Sequence, residues 1–212
     1  LVQASLPISA EAQEIVETIP TKYSFITGSF LYNEKYKDID VFILSRTKKE
    51  IKIKNKKVKI TYLDFNDLST LLYHSLTKSC IAKEILPLKN IKVTLTDYWN
   101  IINEAVPTIL NTKNKFHKSI RFLILYSEYF KTKEVLDTFE LYEKINTFKN
   151  HKEILAYIQK EIPEIIKNQS TRSYAKKYFY SQSKQYQELK EYKAQQFLYQ
   201  LVHKITRGVI KN

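Results

Sequence analysis

Two aspartates lie two residues apart at the start of an apolar segment of this chain. Asp38 and Asp40 alternate with Ile39 and Val41 in a run that continues to Leu44. Because successive side chains of a β-strand point to opposite faces, the two carboxylates would share one face while the apolar residues enter the core. Burying carboxylates without a partner is costly, so this pair predicts a bound cation. Carboxylate oxygens are hard ligands, which favours Mg2+ or Mn2+.

A glycine-serine turn precedes this segment. Gly28 and Ser29 follow an apolar run from Tyr23 to Thr27, and eight residues separate Ser29 from Asp38. Glycine adopts turn conformations that other residues avoid, and the N–H groups at the start of a following helix attract phosphate oxygens. We therefore expect a phosphate-binding turn next to the predicted metal site.

The order of apolar strand, Gly-Ser turn, spacer and Asp-x-Asp strand resembles the signature of the nucleotidyltransferase superfamily that includes DNA polymerase beta, in its small bacterial form with a C-terminal helical domain. The resemblance covers the chain up to about residue 90. It implies that Gly28 and Ser29 hold the β- and γ-phosphates of a nucleoside triphosphate. It also implies that Asp38 and Asp40 bind Mg2+ or Mn2+ ions, which activate an acceptor hydroxyl and bind the departing pyrophosphate. The implied reaction transfers a nucleoside monophosphate from the triphosphate to that hydroxyl.

Members of this superfamily carry a third carboxylate on a later strand. The next strand expected here runs from Val58 to Phe65, and matching its Leu-Asp end to small members puts the third acid at Lys59. A shift of two residues puts it at Thr61. Asp64 is the nearest acid of the segment, but it has the opposite strand parity. Two roles are open for Asp64: the third metal ligand, or the cap of a helix that starts near Asn66.

The residues at the third position leave other functions open. A chain without the third acid can retain the fold and bind nucleotide while the chemistry is lost. This alternative is a catalytically degenerate module, which acts as a nucleotide sensor or as the antitoxin-like or regulatory partner protein of a two-gene system. In a further alternative the Asp-Ile-Asp match is accidental, and the chain is a basic helical protein that binds nucleic acid.

The composition predicts a folded α+β protein with long helices. The chain has 212 residues, of which 43% are hydrophobic, and only 2 Gly and 5 Pro, which argues against an all-β protein. We expect a small mixed sheet in a nucleotidyltransferase-like domain of residues 1–92, followed by an α-helical bundle domain of residues 93–212. The single cysteine, Cys80, excludes an internal disulfide and fits a reducing cytosol. No apolar run reaches the ~18 residues of a membrane span, so a cytoplasmic protein without a membrane partner is expected.

The charge of the chain favours anionic partners. Its 35 Lys and Arg residues outnumber 22 Asp and Glu residues, which gives a formal net charge of +13. Lysines cluster between Arg46 and Lys59, in a segment interpreted as a hairpin that turns at Asn55. From Ser170 onward basic residues alternate with tyrosines, a pattern that can bind RNA by charge and stacking. Both patterns also have an ordinary structural interpretation, as a soluble edge hairpin and as the core of a bundle. RNA is therefore one expected acceptor among anionic molecules.

Apolar periodicity predicts helices throughout the second domain. Pro107 should bend or divide the first of them. Asn150 and Glu153 form an expected capping box, and Pro163 fits the first turn of another helix. Apolar positions between Tyr186 and Ile205 predict one long C-terminal helix.

Overall fold

The computed structural model of the chain describes residues 6–47, 51, 58–110 and 116–207. Its elements confirm the α+β class, because a small mixed sheet is followed by a bundle of helices. The strands are β1 (Ser24–Thr27), β2 (Ile39–Leu44), β3 (Val58–Leu63) and β4 (Cys80–Ala82), and short 3-10 helices cover Ser29–Leu31 and Asp67–Ser69.

The sheet has the strand order β3-β2-β1-β4. Strand β1 is antiparallel to both β2 and β4, whereas β2 and β3 are parallel. A parallel pair requires a crossover connection instead of a tight turn. The lysine-rich hairpin with its turn at Asn55 was predicted in this connection, and that turn lies outside the described residues.

One face of the sheet packs against an N-terminal helix, α1 (Leu6–Thr18), which the sequence did not predict. In β2 the buried residues Ile39, Val41 and Ile43 point to this face, so the predicted alternation of this strand is confirmed. The buried core on this side consists of Ala12, Ile15, Val16, Ile19, Ile26, Phe30, Leu31, Ile39, Val41 and Ile43.

The opposite face packs against helix α2 (Leu71–Lys78). The side chain of Thr70 caps this helix by accepting a hydrogen bond from the N–H of Tyr73 at 3.2 Å. The ring of Phe25 stacks on that of Phe42 with 5.2 Å between centroids, and it meets the ring of Tyr73 edge-on at 6.2 Å. These aromatic contacts join β1, β2 and α2 into a second core.

The rest of the described chain is helical. The predicted cap at Asn150 is confirmed, because its side chain accepts a hydrogen bond from the N–H of Glu153 at 3.2 Å. The side chain of Glu153 accepts a hydrogen bond at 2.8 Å from the N–H of Lys149 instead of that of Asn150. None of the helices in the described ranges has the length and apolar composition of a membrane span. The helices are α3 (Leu95–Leu110), α4 (Phe116–Thr132), α5 (Thr138–Asn146), α6 (His151–Ile165), α7 (Gln169–Glu188) and α8 (Tyr192–Arg207).

Two helix boundaries differ from those predicted, and of the two effects expected of Pro107 only the division of the helix is excluded. Pro107 lies inside α3 without dividing it, and Pro163 lies inside α6 instead of starting another helix. Buried residues on both sides of Pro107, such as Val106 and Ile109, hold α3 together because tertiary packing outweighs local propensity. The prediction of a single C-terminal helix is also wrong, because α7 ends at Glu188 and α8 begins at Tyr192. Between them Lys190 has a φ of 58°.

The described chain divides into two compact units. The sheet unit comprises the residues up to Lys92 together with Val135–Glu143, and the helical unit comprises Val93–Glu134 and the residues from Lys144 onward. Residues 135–143, which the sequence-based division assigns to the helical domain, therefore group with the sheet. The start of α5 belongs to the sheet unit.

Candidate functional site

A row of four side chains crosses the sheet at the level of the aspartate pair. Asp40 of β2 pairs with Thr27 of β1 and with Lys59 of β3, while Thr27 also pairs with Cys80 of β4. Directly paired residues on neighbouring strands place their side chains on the same face of the sheet. Lys59, Asp40, Thr27 and Cys80 are called the cross-strand row below. The row shares its face with Phe42 and therefore lies opposite the face covered by α1.

Gly28 lies against the carboxylate of Asp40. The backbone of Gly28 has φ 91° and ψ −164°, a conformation that residues other than glycine rarely adopt. A Cβ added at this position would lie 3.4 Å from Oδ2 of Asp40. The turn closes with a hydrogen bond from the N–H of Leu31 to the carbonyl oxygen of Gly28 at 3.0 Å, and Ser29 begins the short 3-10 helix. The structure thus brings the predicted phosphate turn and one predicted metal ligand together.

Asp38 immediately precedes β2, and its side chain is half-buried, as is that of Asp40. The apolar residues that alternate with them, Ile39 and Val41, are 1% and 0% exposed. The core therefore fixes the register of this strand, because a slip by one residue would bury the aspartates and expose the apolar side chains.

Hydrogen bonds of Thr27 hold the end of β1 in place. Its Oγ1 donates to the carbonyl oxygen of Ser79 at 2.9 Å and lies 3.2 Å from Oγ1 of Thr138, at the start of α5. The hydroxyl of Ser79 lies 3.1 Å from the same Thr138 oxygen. Sequence reasoning missed these supports, because Ser79 and Thr138 are 52 and 111 residues away from Thr27 and form no local pattern with it.

A charged contact between α2 and α5 supports this arrangement. The Lys78 ammonium donates to the carbonyl oxygen of Val135 at 2.8 Å and to the carboxylate of Glu140 at 3.2 Å. Asp137 and Glu140 form a reciprocal capping box, with two N–H to carboxylate bonds of 2.7 and 2.8 Å. Burial alone would raise the pKa of Glu140, but the N–H of Asp137 and the Lys78 ammonium lower it below its ordinary value.

Asp64 lies far along the sheet from Asp40. It follows the last residue of β3 and stands five residues beyond Lys59, the partner of Asp40. At ~3.3 Å per residue, this separation along the strand is about 16 Å. The Asp64 carboxylate accepts hydrogen bonds from the N–H groups of Asn66 at 2.5 Å and Asp67 at 3.3 Å. The structure therefore places Asp64 in a capping role at the strand exit and does not bring it next to the aspartate pair.

The position beside Asp40 on β3 is occupied by a lysine. Lys59 is exposed, and Thr61 pairs with Phe42 further along the strand. Within residues 6–47, 51, 58–110 and 116–207, no three or more His, Cys, Asp or Glu side chains are grouped to hold a metal ion. The aspartate pair still matches the one or two carboxylates that Mg2+ commonly takes from a protein, with phosphate oxygens and water as its other ligands. Among the described residues, no third carboxylate joins this pair.

The far end of the cross-strand row borders a cavity. Burial raises the pKa of the Cys80 thiol to about 12, and its Sγ donates to the carbonyl oxygen of Thr77 at 3.3 Å. A cavity of about 420 Å³ is lined by Cys80, Leu86 and Val135 among others. None of the predicted metal or phosphate residues lines this cavity, so it is distinct from the Gly28 turn.

The helical unit carries a stripe of aromatic rings. The ring centroids of Trp99 in α3 and Tyr174 in α7 are 5.5 Å apart. The ring of Tyr174 stacks on that of Tyr178, with 5.9 Å between centroids and 8° between planes. Trp99 is 41% exposed. The hydroxyl of Tyr174 donates to Oδ1 of Asn103 at 3.0 Å. The exposed Lys177 lies on the same helix, one turn after Tyr174 and directly before Tyr178. Trp99, Tyr174 and Tyr178 are called the aromatic stripe below.

A comparison with protein-family models, with curated proteins and with solved structures gives no match to this chain. The structure shows a mixed four-stranded sheet followed by a helical region. No family match supports the expected resemblance to nucleotidyltransferases, which rests on the Gly-Ser turn and the aspartate strand alone.

Proposed function

We propose that this chain is a metal-dependent nucleotidyltransferase that moves a nucleoside monophosphate from a nucleoside triphosphate to an acceptor hydroxyl. The observation that carries this proposal is the proximity of the glycine turn to the aspartate strand, with 3.4 Å between a Cβ added at Gly28 and Oδ2 of Asp40. A triphosphate bound on this turn would lie next to a carboxylate able to hold its counter-cation. The glycine turn and the cation held by the aspartates would then contact the same phosphate groups.

Each residue of the turn and the strand has a defined role. Gly28 lets phosphate oxygens approach the backbone because no side chain intervenes, and Ser29 offers an N–H and a hydroxyl. Asp38 and Asp40 would hold Mg2+ or Mn2+, which lowers the pKa of the acceptor hydroxyl and stabilises the charge of the departing pyrophosphate. Thr27 fixes the end of β1, on which the turn depends.

RNA is the proposed acceptor class. The excess of positive charge attracts polyanions, and the aromatic stripe offers ring faces on which unpaired bases can stack. The exposed Lys177, one turn after Tyr174 on α7, offers a cation for a phosphate of the same RNA strand. A small anionic acceptor would be attracted by the positive charge of the chain but would have no use for the aromatic stripe.

Label transfer tests the enzymatic proposal directly. The chain is incubated with each α-labelled nucleoside triphosphate, Mg2+ or Mn2+, and single-stranded RNA or small hydroxyl acceptors. We expect divalent-dependent transfer of label that is lost in the double variant Asp38→Asn, Asp40→Asn. Absence of transfer with every combination, or transfer that survives the double variant, would overturn the proposal.

A matched control separates the roles of the aspartates from a general effect of charge. Glu14 and Glu84 are exposed acids of the same unit. The double variant Glu14→Gln, Glu84→Gln removes two negative charges as the aspartate variant does, and it should leave transfer unchanged.

The lysine beside Asp40 favours a second candidate function, that of a nucleotide-binding regulatory module without transfer activity. Lys59 stands next to Asp40, and no group of three candidate ligands occurs in the described ranges. As such a module, the chain would bind its partner protein differently with and without nucleotide. Calorimetry with triphosphate and Mg2+ discriminates the two candidates, because tight binding without label transfer supports the module and excludes the transferase.

A further inference from the structure

The pairing of Asp40 with Lys59 adds a positive charge to the site proposed to bind the triphosphate. The two residues are partners in the parallel register of β2 and β3, on the face opposite α1. Neighbouring strands are about 4.8 Å apart, so the flexible side chain of an exposed lysine can place its ammonium beside its partner's carboxylate. The register therefore places a lysine whose positive charge can reach the edge of the aspartate pair.

An ammonium at this place changes which cations the site can hold. It repels a divalent ion bound on its side of Asp40, because like charges a few ångströms apart oppose each other even in a high dielectric. The same ammonium attracts the oxygens of a triphosphate, for which lysine is a common point-charge ligand. The site therefore has room for one divalent ion at the aspartates and for a second cation that is part of the chain.

We propose that Lys59 itself binds a phosphate oxygen in the triphosphate site, and that its positive charge limits this site to one divalent ion. This inference rests on the triphosphate site of the proposed function, but it does not require that transfer takes place. The Lys59 ammonium would hold the phosphates where a site with three carboxylates would hold a second metal ion.

Counting bound Mn2+ by its electron paramagnetic resonance signal tests the proposal. A non-hydrolysable α,β-methylene analogue of the triphosphate is used, so that binding is measured without turnover. We expect one Mn2+ per bound nucleotide in the unchanged chain and two in Lys59→Asp. Without nucleotide, Lys59→Asp should bind Mn2+ about tenfold or more tightly than the unchanged chain, because a third carboxylate replaces a cation.

A conservative variant measures the contribution of the ammonium to phosphate binding. Lys59→Gln retains a polar side chain of similar length and should fold, as thermal melting and circular dichroism would show. We expect it to bind the analogue about tenfold or more weakly at a fixed Mn2+ concentration, the loss typical of a charged hydrogen bond.

Two controls locate the effect. Lys193→Asp makes the same change of net charge at an exposed position of α8 in the other unit, and it should leave Mn2+ binding unchanged. Thr61→Asp places the new acid two residues further along β3, beside Phe42. It should raise Mn2+ affinity less than Lys59→Asp does.

The outcomes distinguish this inference from the proposed function. Two Mn2+ ions per nucleotide in the unchanged chain, or undiminished analogue binding by Lys59→Gln, would overturn the inference while leaving the transferase open. One Mn2+ per nucleotide and weaker binding by Lys59→Gln, in a chain that transfers no label, would support the inference and overturn the transferase. A chain that binds no analogue overturns both.

Discussion

The carboxylate of Asp40 occupies the space next to the missing side chain of Gly28, with 3.4 Å between Oδ2 and the place of a Cβ. This distance is an ordinary van der Waals contact, so space alone does not exclude alanine at position 28. The backbone does, because φ 91° with ψ −164° belongs to a region used almost only by glycine. The turn is therefore held in a conformation that serves its approach to Asp40.

We expect Gly28→Ala to lower the free energy of unfolding of the sheet unit by about 1–3 kcal/mol, the usual cost of a strained backbone conformation. If the turn relaxes to remove this strain, triphosphate binding measured by calorimetry should weaken as well. Ser29→Ala is the stability control, because it adds no side chain where positive φ is required. A Gly28→Ala chain with unchanged stability and unchanged triphosphate affinity would contradict the role given to this turn.

The local part of the candidate site could be predicted because its signals are short-range. The alternation of Asp38, Ile39, Asp40 and Val41 predicted the strand and its buried face, and both appear in β2. The glycine predicted a tight turn, which the positive φ of Gly28 provides.

The long-range part could not be predicted, because the pairing of distant segments leaves no local pattern. The resemblance left Lys59 and Thr61 open as the position of the third acid, and only the parallel register of β2 and β3 shows that Lys59 lies beside Asp40. Likewise Thr138 reaches Thr27 across 111 residues and draws the start of α5 into the sheet unit. A division of the chain by composition alone had no reason to separate that segment from the other helices.

The aromatic stripe should contribute to RNA binding if RNA is the acceptor. Trp99→Ala removes the most exposed ring of the stripe and should weaken binding of a labelled single-stranded RNA at least about fivefold, because a stacked base is worth about 1–3 kcal/mol. Fluorescence anisotropy at two salt concentrations separates this loss from the charge contribution, since the salt dependence should stay the same.

Tyr192→Ala is the control for the stripe. Tyr192 is 57% exposed on α8 and lies outside the stripe, so its removal should leave RNA affinity unchanged. Equal losses for both variants would assign the effect to general surface change, and no loss for Trp99→Ala would remove the stripe from RNA binding.

A buried carboxylate makes the helical unit sensitive to acid. Glu161 is 1% exposed, receives a hydrogen bond from Ser127 and lies 2.8 Å from the Lys131 ammonium. Burial alone would raise its pKa, but the bonds from Lys131 and Ser127 lower it below the ordinary value of 4.5. Since the pKa is lower in the folded state, the carboxylate stabilises the fold above pH 4.5, and this contribution is lost as pH falls through the folded-state pKa.

Lys131→Met should therefore lower the free energy of unfolding of the helical unit at pH 7 by about 1–3 kcal/mol, because it leaves a buried carboxylate without its cation. The loss of stability between about pH 5 and pH 3 should become shallower. Urea titration followed by the fluorescence of Trp99, the single tryptophan and a residue of this unit, measures both effects.

Lys160→Met provides the comparison for this ion pair. The Lys160 ammonium is 3.8 Å from Glu161, and its side chain is 76% exposed, so its removal should cost less than about 1 kcal/mol. Equal destabilisation by the two variants would mean that the short contact to Lys131 does not hold Glu161 ionised.

The thiol at the end of the cross-strand row should react slowly. Burial raises the pKa of Cys80 to about 12, and only the thiolate reacts with disulfide reagents, so about one molecule in ten thousand is reactive at pH 8. We expect labelling by a chromogenic disulfide reagent at pH 8 to be at least about 100-fold slower in the native chain than in guanidinium, where an unfolded thiol has a pKa near 8.5.

The pH dependence of the labelling rate gives the sharper criterion. In the native chain the rate should rise about tenfold per pH unit between pH 7 and 9, because the thiolate fraction grows in this proportion far below the pKa. A native rate that levels off within this range would show a thiolate formed near neutral pH. In that case the environment of Cys80 beside Thr27 is more polar than its burial indicates, and this end of the row is open to solvent.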